Sequence, residues 1–238
     1  GLYYMKRVLK LNPIAFTYDW GVATDLGRRN QSRVCSKLGI EQIMISADIH
    51  QKRLNIRKNI EAWLKKPELG MLIPLIMAGD KQFFYYANKL MKQMRIDLMA
   101  FSVNPLEKTN FKVGLCGVDE GKSGTYSFNL GLGQKIGITW YYLRQFLRNP
   151  AYLNSSLVDT AWSYLSSFII PHDYLLLYEY LRWDEEEIDN TLRDEFDWET
   201  ASDSDSTWRI GDAATSFYNY IYYSVVGFTE NDTLRSNQ

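Results

Sequence analysis

Short apolar runs alternate with segments of helical periodicity through the first hundred residues. The runs with the length of buried strands span residues 14–18, 42–46 and 96–101. The segments with helical spacing that lie between them span residues 24–38, 49–66 and 76–94. Because strands alternate with helices through short links, the pattern predicts βαβ units, and therefore an α/β fold with a parallel sheet.

Glycine and proline mark the ends of several of these elements. Pro13 ends a first helix, which lies within residues 2–9. Pro67 ends the helix at residues 49–66, which is rich in basic residues. Gly39 follows residue 38 in the position of a helix C-cap. Residues 69–74 are apolar without a clear period, so we expect them to be irregular.

The rest of the chain has a mostly helical pattern. Further helices are predicted at residues 135–148, 155–168 and 213–226. Residues 171–181 fit either a helix or a strand. Five glycines between Gly117 and Gly133 are typical of a lid or crossing loop. We therefore expect two parts, an α/β core at residues 1–117 and a helical part at residues 118–238.

Composition excludes several classes of protein. A net charge of −1 argues against a dedicated nucleic-acid binder, which needs a basic surplus. Cys35 and Cys116 are too few for a disulfide framework, and no apolar run reaches the length of a membrane span. These features predict a protein of a reducing, cytoplasmic compartment. Cys35 lies on the apolar side of its helix and is expected to be a packing residue.

The acidic residues 183–187 have two interpretations. Adjacent carboxylates could bind a metal ion or serve as acid and base. Alternatively, Asp184 is a helix N-cap with Glu187 three residues later, and the acids complement the helix dipole. The second interpretation is the one we favour.

Polar residues follow each of the three predicted strands. They are Asp19, Asp48, and the pair Asn104 and Glu107. The carboxyl ends of parallel strands meet at one edge of a sheet, where α/β proteins bind ligands. Carboxylates there are suited to Mg²⁺ on a polyphosphate. The alternative for residues 102–114 is a surface loop in which Asn104 and Pro105 only form a turn.

Two basic residues, Lys112 and Arg209, are suited to neutralising phosphate charge. An ion pair with Asp212 is the alternative for Arg209. The sequence has no Gly-x-Gly-x-x-Gly or Walker A motif. His50 and His172 are too far apart for a zinc site, and Cys116 has no nearby histidine that would favour a nucleophilic role.

Several segments resemble the N-acetyl sugar amidotransferases. These enzymes act in the biosynthesis of flagellin sugars and of surface polysaccharides such as the lipopolysaccharide O-antigen. These enzymes are PP-loop ATP pyrophosphatases, or adenine nucleotide α-hydrolase-like proteins. The segments that carry the resemblance are residues 104–114 (NPLEKTNFKVG), 207–212 (TWRIGD) with 218–222 (YNYIY), and 227–238 (GFTENDTLRSNQ). Weaker similarity is found at residues 19–21 (DWG) and 79–80 (GD).

The resemblance implies a Rossmann-like, three-layer PP-loop domain with a mostly helical C-terminal half. The family's defining Ser-Gly-Gly-Lys-Asp-Ser loop should precede the helix in which the 238 residues begin, and it is not among them. Backbone N–H groups of such a loop bind phosphate at a helix N-terminus. We therefore expect these residues alone to be inactive.

The resemblance also implies a reaction and its residues. ATP would adenylate the acetamido oxygen of a nucleotide-activated N-acetyl sugar, and ammonia from a separate glutaminase subunit would then displace AMP. Glu107 would hold Mg²⁺, and Lys112 and Arg209 would face the phosphates. The residues that would complete the nucleotide site are Phe16, Thr17, Tyr18, Asp19, Asn104, Thr109, Gly114, Trp208 and Asp212.

Two other functions remain open at this point. One is a different PP-loop adenylating enzyme, which modifies tRNA or transfers sulfur and needs a basic RNA surface or a reactive cysteine pair. The other is a nucleotide-binding protein without catalytic activity. The residues upstream of Gly1 distinguish these, because an enzyme of this family requires the phosphate-binding loop.

Overall fold

The computed structural model describes residues 1–76, 79–104, 111–118, 130–170, 173–202 and 213–229. Strands β1 (Ala15–Asp19) and β2 (Gln42–Ser46) pair in parallel, and so do β3 (Met99–Phe101) and β4 (Tyr174–Leu176). The expectation of an α/β fold with parallel strands is confirmed. The expected alignment of the first three strands in one sheet is not found, because within the described residues β3 is hydrogen-bonded to β4 rather than to β1 or β2.

Helices make up most of the rest of the described chain. They are α1 (Asp25–Leu38), α2 (Ile49–Lys65), α3 (Leu69–Ile76), α4 (Phe83–Met94), α5 (Phe111–Gly114), α6 (Leu132–Arg148), α7 (Leu157–Tyr164), α8 (Glu185–Phe196) and α9 (Ala213–Val226). Short 3-10 turns occur at Asp80–Gln82, Pro150–Tyr152 and Leu177–Glu179, and π-helical turns at Tyr4–Val8 and Leu165–Ile169. No helix within these described ranges is long and apolar enough to cross a bilayer.

Local hydrogen bonds fix several helix ends where the sequence predicts them. The Thr24 hydroxyl accepts the Gly27 N–H at 3.0 Å and begins α1. Gly39 ends α1 in the left-handed region with a φ of 60°. The Asp184 carboxylate accepts the Glu187 N–H at 3.2 Å, so the acidic residues 183–187 do begin a helix as expected.

Other expected boundaries are wrong. Residues 69–74 belong to helix α3, where Met71 and Leu72 are almost fully buried. A helix that is apolar on every face shows no amphipathic period, which is why the sequence pattern missed it. The strand expected at residues 96–101 is shortened to β3, because Arg95 adopts a left-handed C-cap and Ile96 still donates to the helix before it. The ambiguous residues 171–181 contain β4 and a 3-10 turn. The proposed lid falls largely on residues 119–129, outside the described residues.

Three apolar clusters form the described core. One contains Trp20, Leu72, Tyr218 and Tyr222. A second contains Ala15, Cys35, Leu38, Ile40 and Phe196, which confirms Cys35 as a packing residue. A third contains Ala62, Met71 and Tyr152. Each cluster joins the first 117 residues to the later helices, and β3–β4 does the same, so the two expected parts share their core.

Polar contacts attach the end of α8 to α1. Asn30 is fully buried, donates to the Glu199 carbonyl at 2.8 Å and accepts the Glu199 N–H at 3.0 Å. Arg29 and Arg33 both form ion pairs with the Glu199 carboxylate, and Lys37 pairs with Asp197. The acidic segment after α8 therefore neutralises the basic face of α1.

The segments 19–21 and 79–80, which carry part of the family resemblance, lie against each other. A Cβ atom placed on Gly79 would lie 2.7 Å from Cε3 of Trp20, well inside van der Waals contact. Gly21 has a φ of +102°, which only glycine adopts without strain. Gly79 lets the start of the Asp80–Gln82 turn pack closely against Trp20, and Gly21 lets the turn after β1 pass close to Ile49.

Replacing Gly79 by alanine should therefore destabilise the protein by about 1–3 kcal/mol, because the Trp20 ring must move out of the core. The matched control is Gly133→Ala in α6, where a Cβ meets nothing within 4 Å. There alanine should be neutral or stabilising by up to about 1 kcal/mol, through helix propensity. Urea unfolding measures both, and equal effects would contradict the close approach at Gly79.

Candidate functional site

The carboxyl ends of β1 and β2 lie side by side. Asp19 is opposite Ser46 in the register, and the Ala47 N–H donates to the Asp19 carbonyl at 2.8 Å. Asp48 follows at once and caps α2 by accepting the Gln51 N–H at 2.9 Å. Asp19 and Asp48 thus share one sheet edge, as the strand-end pattern predicts.

The Asp19 carboxylate is buried, and its oxygens are already bonded. Oδ1 accepts the Gly21 N–H at 2.9 Å, and Oδ2 forms an ion pair with Arg28 of α1 at 2.9 Å. Arg53 of α2 donates to the Gly21 carbonyl at 2.7 Å. Asp19 therefore shapes the turn after β1 and neutralises Arg28, so this structure gives it a positioning role at the sheet edge.

The other β1 residues expected near adenine lie on both faces of the strand. Phe16 and Tyr18 face α4, where they stack on Phe83 and Tyr86. Thr17, on the opposite face, accepts a hydrogen bond from Gln42 at 3.3 Å. These side chains pack against other described residues, so an adenine ring could contact only their exposed edges.

A buried polar network lies beside the turn after β1, and sequence reasoning missed it. Its centre is an ion pair between Lys52 of α2 and Asp159 of α7, whose side chains are 10% and 18% exposed. Asn55 donates to Asp159 at 2.5 Å, and Gln82 does so at 3.1 Å. Gln82 accepts from Lys52 at 3.0 Å and from the Tyr18 hydroxyl at 3.3 Å.

A signal for this network was present in α2. Lys52, Asn55 and Asn59 are spaced by three and four residues, which places them on one face of a helix. That face is buried, and Asn59 accepts a hydrogen bond from the buried Ser156 hydroxyl. Polar residues at the spacing of a buried stripe indicate a satisfied internal network. The partner residues, about a hundred positions later, gave no such signal.

Opposing effects act on the Asp159 carboxyl. Burial raises its pKa, but hydrogen bonds from Lys52, Asn55 and Gln82 favour the charged form, and the net pKa is lowered from its ordinary value. The carboxylate therefore stays ionised at neutral pH. A carboxylate that is bonded to a lysine and two amides is a poor general base, so we assign this network to positioning.

Cys116 is buried, and its thiol donates to the Gly70 carbonyl at a distance of 3.7 Å. Burial is the main cause that raises its pKa to about 11, which suppresses the reactive thiolate at neutral pH. This environment argues against a nucleophilic role, in line with the expectation from sequence.

A cavity of about 1160 Å³ is lined by residues of both small sheets. They include residues 15–17 of β1 and residues 99–101 of β3. The Phe83 ring stacks on Phe16 and on Phe101, with ring centroids 6.2 Å and 5.4 Å apart, and so bridges the two strands. The cavity thus contacts two strands that, within the described residues, are not paired with each other.

The structure describes only some of the remaining predicted site residues. Asn104 follows β3 and is buried, and Gly114 ends α5 in an exposed position. Lys112 belongs to α5, but its side chain lies outside the described part of the structure. The predicted residues that fall entirely outside it are Glu107, Thr109, Trp208, Arg209 and Asp212.

The described residues offer few ligands for Mg²⁺. Among them, no three His, Cys, Asp or Glu side chains are grouped so as to hold a metal ion. The Asp19 oxygens are bonded to Arg28 and Gly21, which leaves a poor donor set at that edge. The described residues alone do not form the expected Mg²⁺ site, and Glu107, its predicted ligand, lies beyond them.

Comparison of the chain with models of known protein families, with curated proteins and with solved structures found no match in any of the three. The family resemblance of these segments therefore stays a prediction.

The polar network makes a prediction about stability. Asp159→Leu or Lys52→Met should each cost about 3 kcal/mol, because each leaves a buried charge without its partner, whereas the double variant should be less destabilised than their sum. Glu61→Gln, which breaks an exposed ion pair with Arg57 on the same helix, is the matched control and should cost less than about 1 kcal/mol.

Acid titration of the same variants gives a second readout. The Asp159 pKa is lowered in the folded state, so its contribution to stability is present above the ordinary value of 3.8 and is lost as pH falls below it. Asp159→Leu should therefore lose less of its free energy of unfolding than the parent protein does as pH falls below 3.8. The coupling would be contradicted if the effects of the two single variants simply added in the double variant. It would also be contradicted if Asp159→Leu left the dependence of the free energy of unfolding on acid pH unchanged.

Proposed function

We propose that this chain is the ATP-binding part of an AMP-forming amidotransferase, which converts the N-acetyl group of a nucleotide-activated sugar into an acetamidino group. The resemblance of residues 104–114, 207–212 and 227–238 to N-acetyl sugar amidotransferases is the starting point. Parallel strands in an α/β fold are compatible with a PP-loop domain. Many other functions share that fold class, so a more specific observation is needed.

The gap between β1 and β3 is the observation that carries the proposal. Two strands that flank one missing strand lie about 10 Å apart. The Phe83 ring stacks on both Phe16 and Phe101, which is compatible with such a separation. One further strand between β1 and β3 would join the two small sheets into a continuous sheet, as expected for a Rossmann-like, three-layer domain.

The position of that strand would also place its loop. Ligands of open parallel sheets bind beyond the carboxyl ends of the strands. A strand parallel to β1 would deliver its following loop between the turn at Asp19 and the residues after β3, where Asn104 lies buried. Backbone N–H groups of a phosphate-binding loop would then lie near Asn104, the first residue of the segment 104–114. This arrangement supports the assignment of residues 104–114 to the nucleotide site.

The proposed reaction overcomes the poor leaving ability of an amide oxygen. The acetamido oxygen attacks the α-phosphorus of ATP, a new O–P bond forms, and pyrophosphate leaves. Ammonia then adds to the imidoyl carbon, that C–O bond breaks, and AMP leaves with the former acetamido oxygen. By the resemblance, Lys112 and Arg209 would neutralise phosphate charge, and Glu107 would hold the Mg²⁺ that accompanies the nucleotide.

Ammonia is the reactive nitrogen species, and it must arrive unprotonated. Glutaminases release it with an activated cysteine, but Cys35 and Cys116 are both buried, and burial raises the pKa of each. Neither thiol is suited to that task. A separate glutaminase subunit is therefore the expected partner, and ATP and a nucleotide sugar place the reaction in the cytoplasm.

The direct test is AMP formation by the full-length protein. It should convert ATP to AMP only when an N-acetyl sugar nucleotide and ammonia are both present. AMP formation driven by tRNA would instead support another PP-loop enzyme, and ATP binding without AMP would support the non-catalytic alternative. A parent protein without the Ser-Gly-Gly-Lys-Asp-Ser loop would contradict the enzyme proposal.

Glu107→Ala should reduce the rate of AMP formation by about 100-fold or more, since it removes the proposed electrostatic support of the departing pyrophosphate. Glu186→Ala, at an exposed position in the first turn of α8, is the control and should stay within about twofold of the parent rate. Circular dichroism checks that both variants fold. An unchanged rate in Glu107→Ala would return residues 102–114 to the interpretation as a surface loop.

A further inference from the structure

A cavity of about 10 Å³ lies inside the polar network around Lys52 and Asp159. Cavities that stay dry in proteins are apolar, whereas polar cavities hold ordered water that bridges buried polar groups. The side chains of this wall are mostly polar, and they indicate a polar occupant. The four polar side chains and the two large apolar ones are Lys52, Asn55, Asn59, Asp159, Trp20 and Ile56.

The wall of the cavity is part of the packed interior. Lys52, Asn55 and Asn59 lie on one face of α2 and are 8%, 6% and 2% exposed. Trp20 and Gly79 also belong to the wall, and they pack so closely that a Cβ atom on Gly79 would lie 2.7 Å from Cε3 of Trp20. The polar groups of the wall are therefore removed from the hydrated surface.

The hydrogen bonds of Lys52 leave one donor over. Its ammonium group has three N–H donors. One is bonded to the Asp159 carboxylate, and another is bonded to the Gln82 amide oxygen at 3.0 Å. Among the residues that the structure describes, the third has no acceptor. Because a buried charged donor without an acceptor is destabilising, this N–H requires a further partner.

Asn55 and Asp159 have complementary groups to spare. The Asn55 amide has two N–H donors, and one of them is bonded to Asp159 Oδ2 at 2.5 Å. Asp159 Oδ1 accepts from Lys52 and Gln82, whereas Oδ2 accepts from Asn55 alone in the described part of the chain. Each carboxylate oxygen has two lone pairs, so Oδ2 can accept once more. The cavity is thus lined by two spare donors and one spare acceptor.

Size and charge restrict the occupant to one small neutral molecule. A single water molecule requires a cavity of about 10–15 Å³, so nothing larger fits. The Lys52 ammonium group would repel a cation, and the Asp159 carboxylate would repel an anion. Water can accept from Lys52 and from Asn55 and donate to Asp159, which completes the roughly three hydrogen bonds that are typical of buried water.

We propose that one ordered water molecule binds in this cavity, held by Lys52, Asn55 and Asp159. It is a structural ligand of the polar network, and it is independent of the proposed enzymatic activity. The water satisfies the third N–H of Lys52 and the second N–H of Asn55. The ion pair between α2 and α7 is then buried without an unpaired donor.

A high-resolution crystal structure of the protein tests the site directly. It should show one peak of electron density in the cavity, about 2.7–3.2 Å from Lys52 Nζ, Asn55 Nδ2 and Asp159 Oδ2. A cavity without such a peak, or one that a protein side chain fills, would overturn the proposal. A peak that is hydrogen-bonded to none of the three residues would overturn it as well.

Oxygen-17 relaxation dispersion tests the site in solution, because it counts the water molecules that stay bound while the protein tumbles. Asn55→Leu replaces a donor by an apolar side chain of similar size and should lower this count by one. Asn190→Leu, at an exposed position of α8, is the matched control and should leave the count unchanged. Circular dichroism checks that both variants fold. An equal count in the parent protein and in folded Asn55→Leu would contradict the proposal, and the crystal structure of the parent decides the question if Asn55→Leu does not fold.

Discussion

The buried ion pair between Lys52 and Asp159 is the constraint on which the described structure most depends. It joins α2 to α7 across 107 positions of sequence, and Gln82 extends it to the turn before α4 and to Tyr18 of β1. Two charges removed from water are tolerated only if both remain paired and hydrogen-bonded. If the α/β part and the later helices separated, Lys52 and Asp159 would therefore lose each other as partners.

This constraint acts next to the edge that the proposed chemistry needs. Trp20, Gly79, Lys52 and Asp159 border one small internal cavity, and Asp19 holds the turn beside it through Arg28. Adenylation requires a phosphate site fixed relative to the sugar, because a misplacement of 1 Å can cost about 100-fold in rate. The network around Lys52 and Asp159 lies beside the strand ends, and its opposite charges neutralise each other. Such a rigid support meets that requirement. The reacting groups proposed here then come from the segments around Glu107 and Arg209.

The elements that sequence predicted well are those that depend on near neighbours. Thr24, Gly39 and Asp184 act on groups within four residues, so their caps can be recognised in the sequence itself. The pairing of β3 with β4 could not be predicted, because it depends on a segment 75 positions later with no distinct strand pattern. Helix α3 was missed because its sequence is apolar on every face, which leaves no amphipathic signal. At the candidate site, Asp19 and Asp48 share one sheet edge as predicted, but Asn104 follows a strand of the other small sheet, and Glu107 lies outside the described residues. The bonded partners of Asp19 were not foreseen, since ion pairs between separate elements leave no local pattern.

In the proposed reaction, the oxygen of an acetamido group attacks the α-phosphorus of ATP. It is tested most directly with a nucleotide-activated sugar whose N-acetyl carbonyl carries oxygen-18. Mass spectrometry of the AMP released by the full-length protein, in the presence of ammonia, should find one oxygen-18 atom in its phosphate group. AMP without the label, formed at the same rate as the acetamidino sugar, would contradict the account.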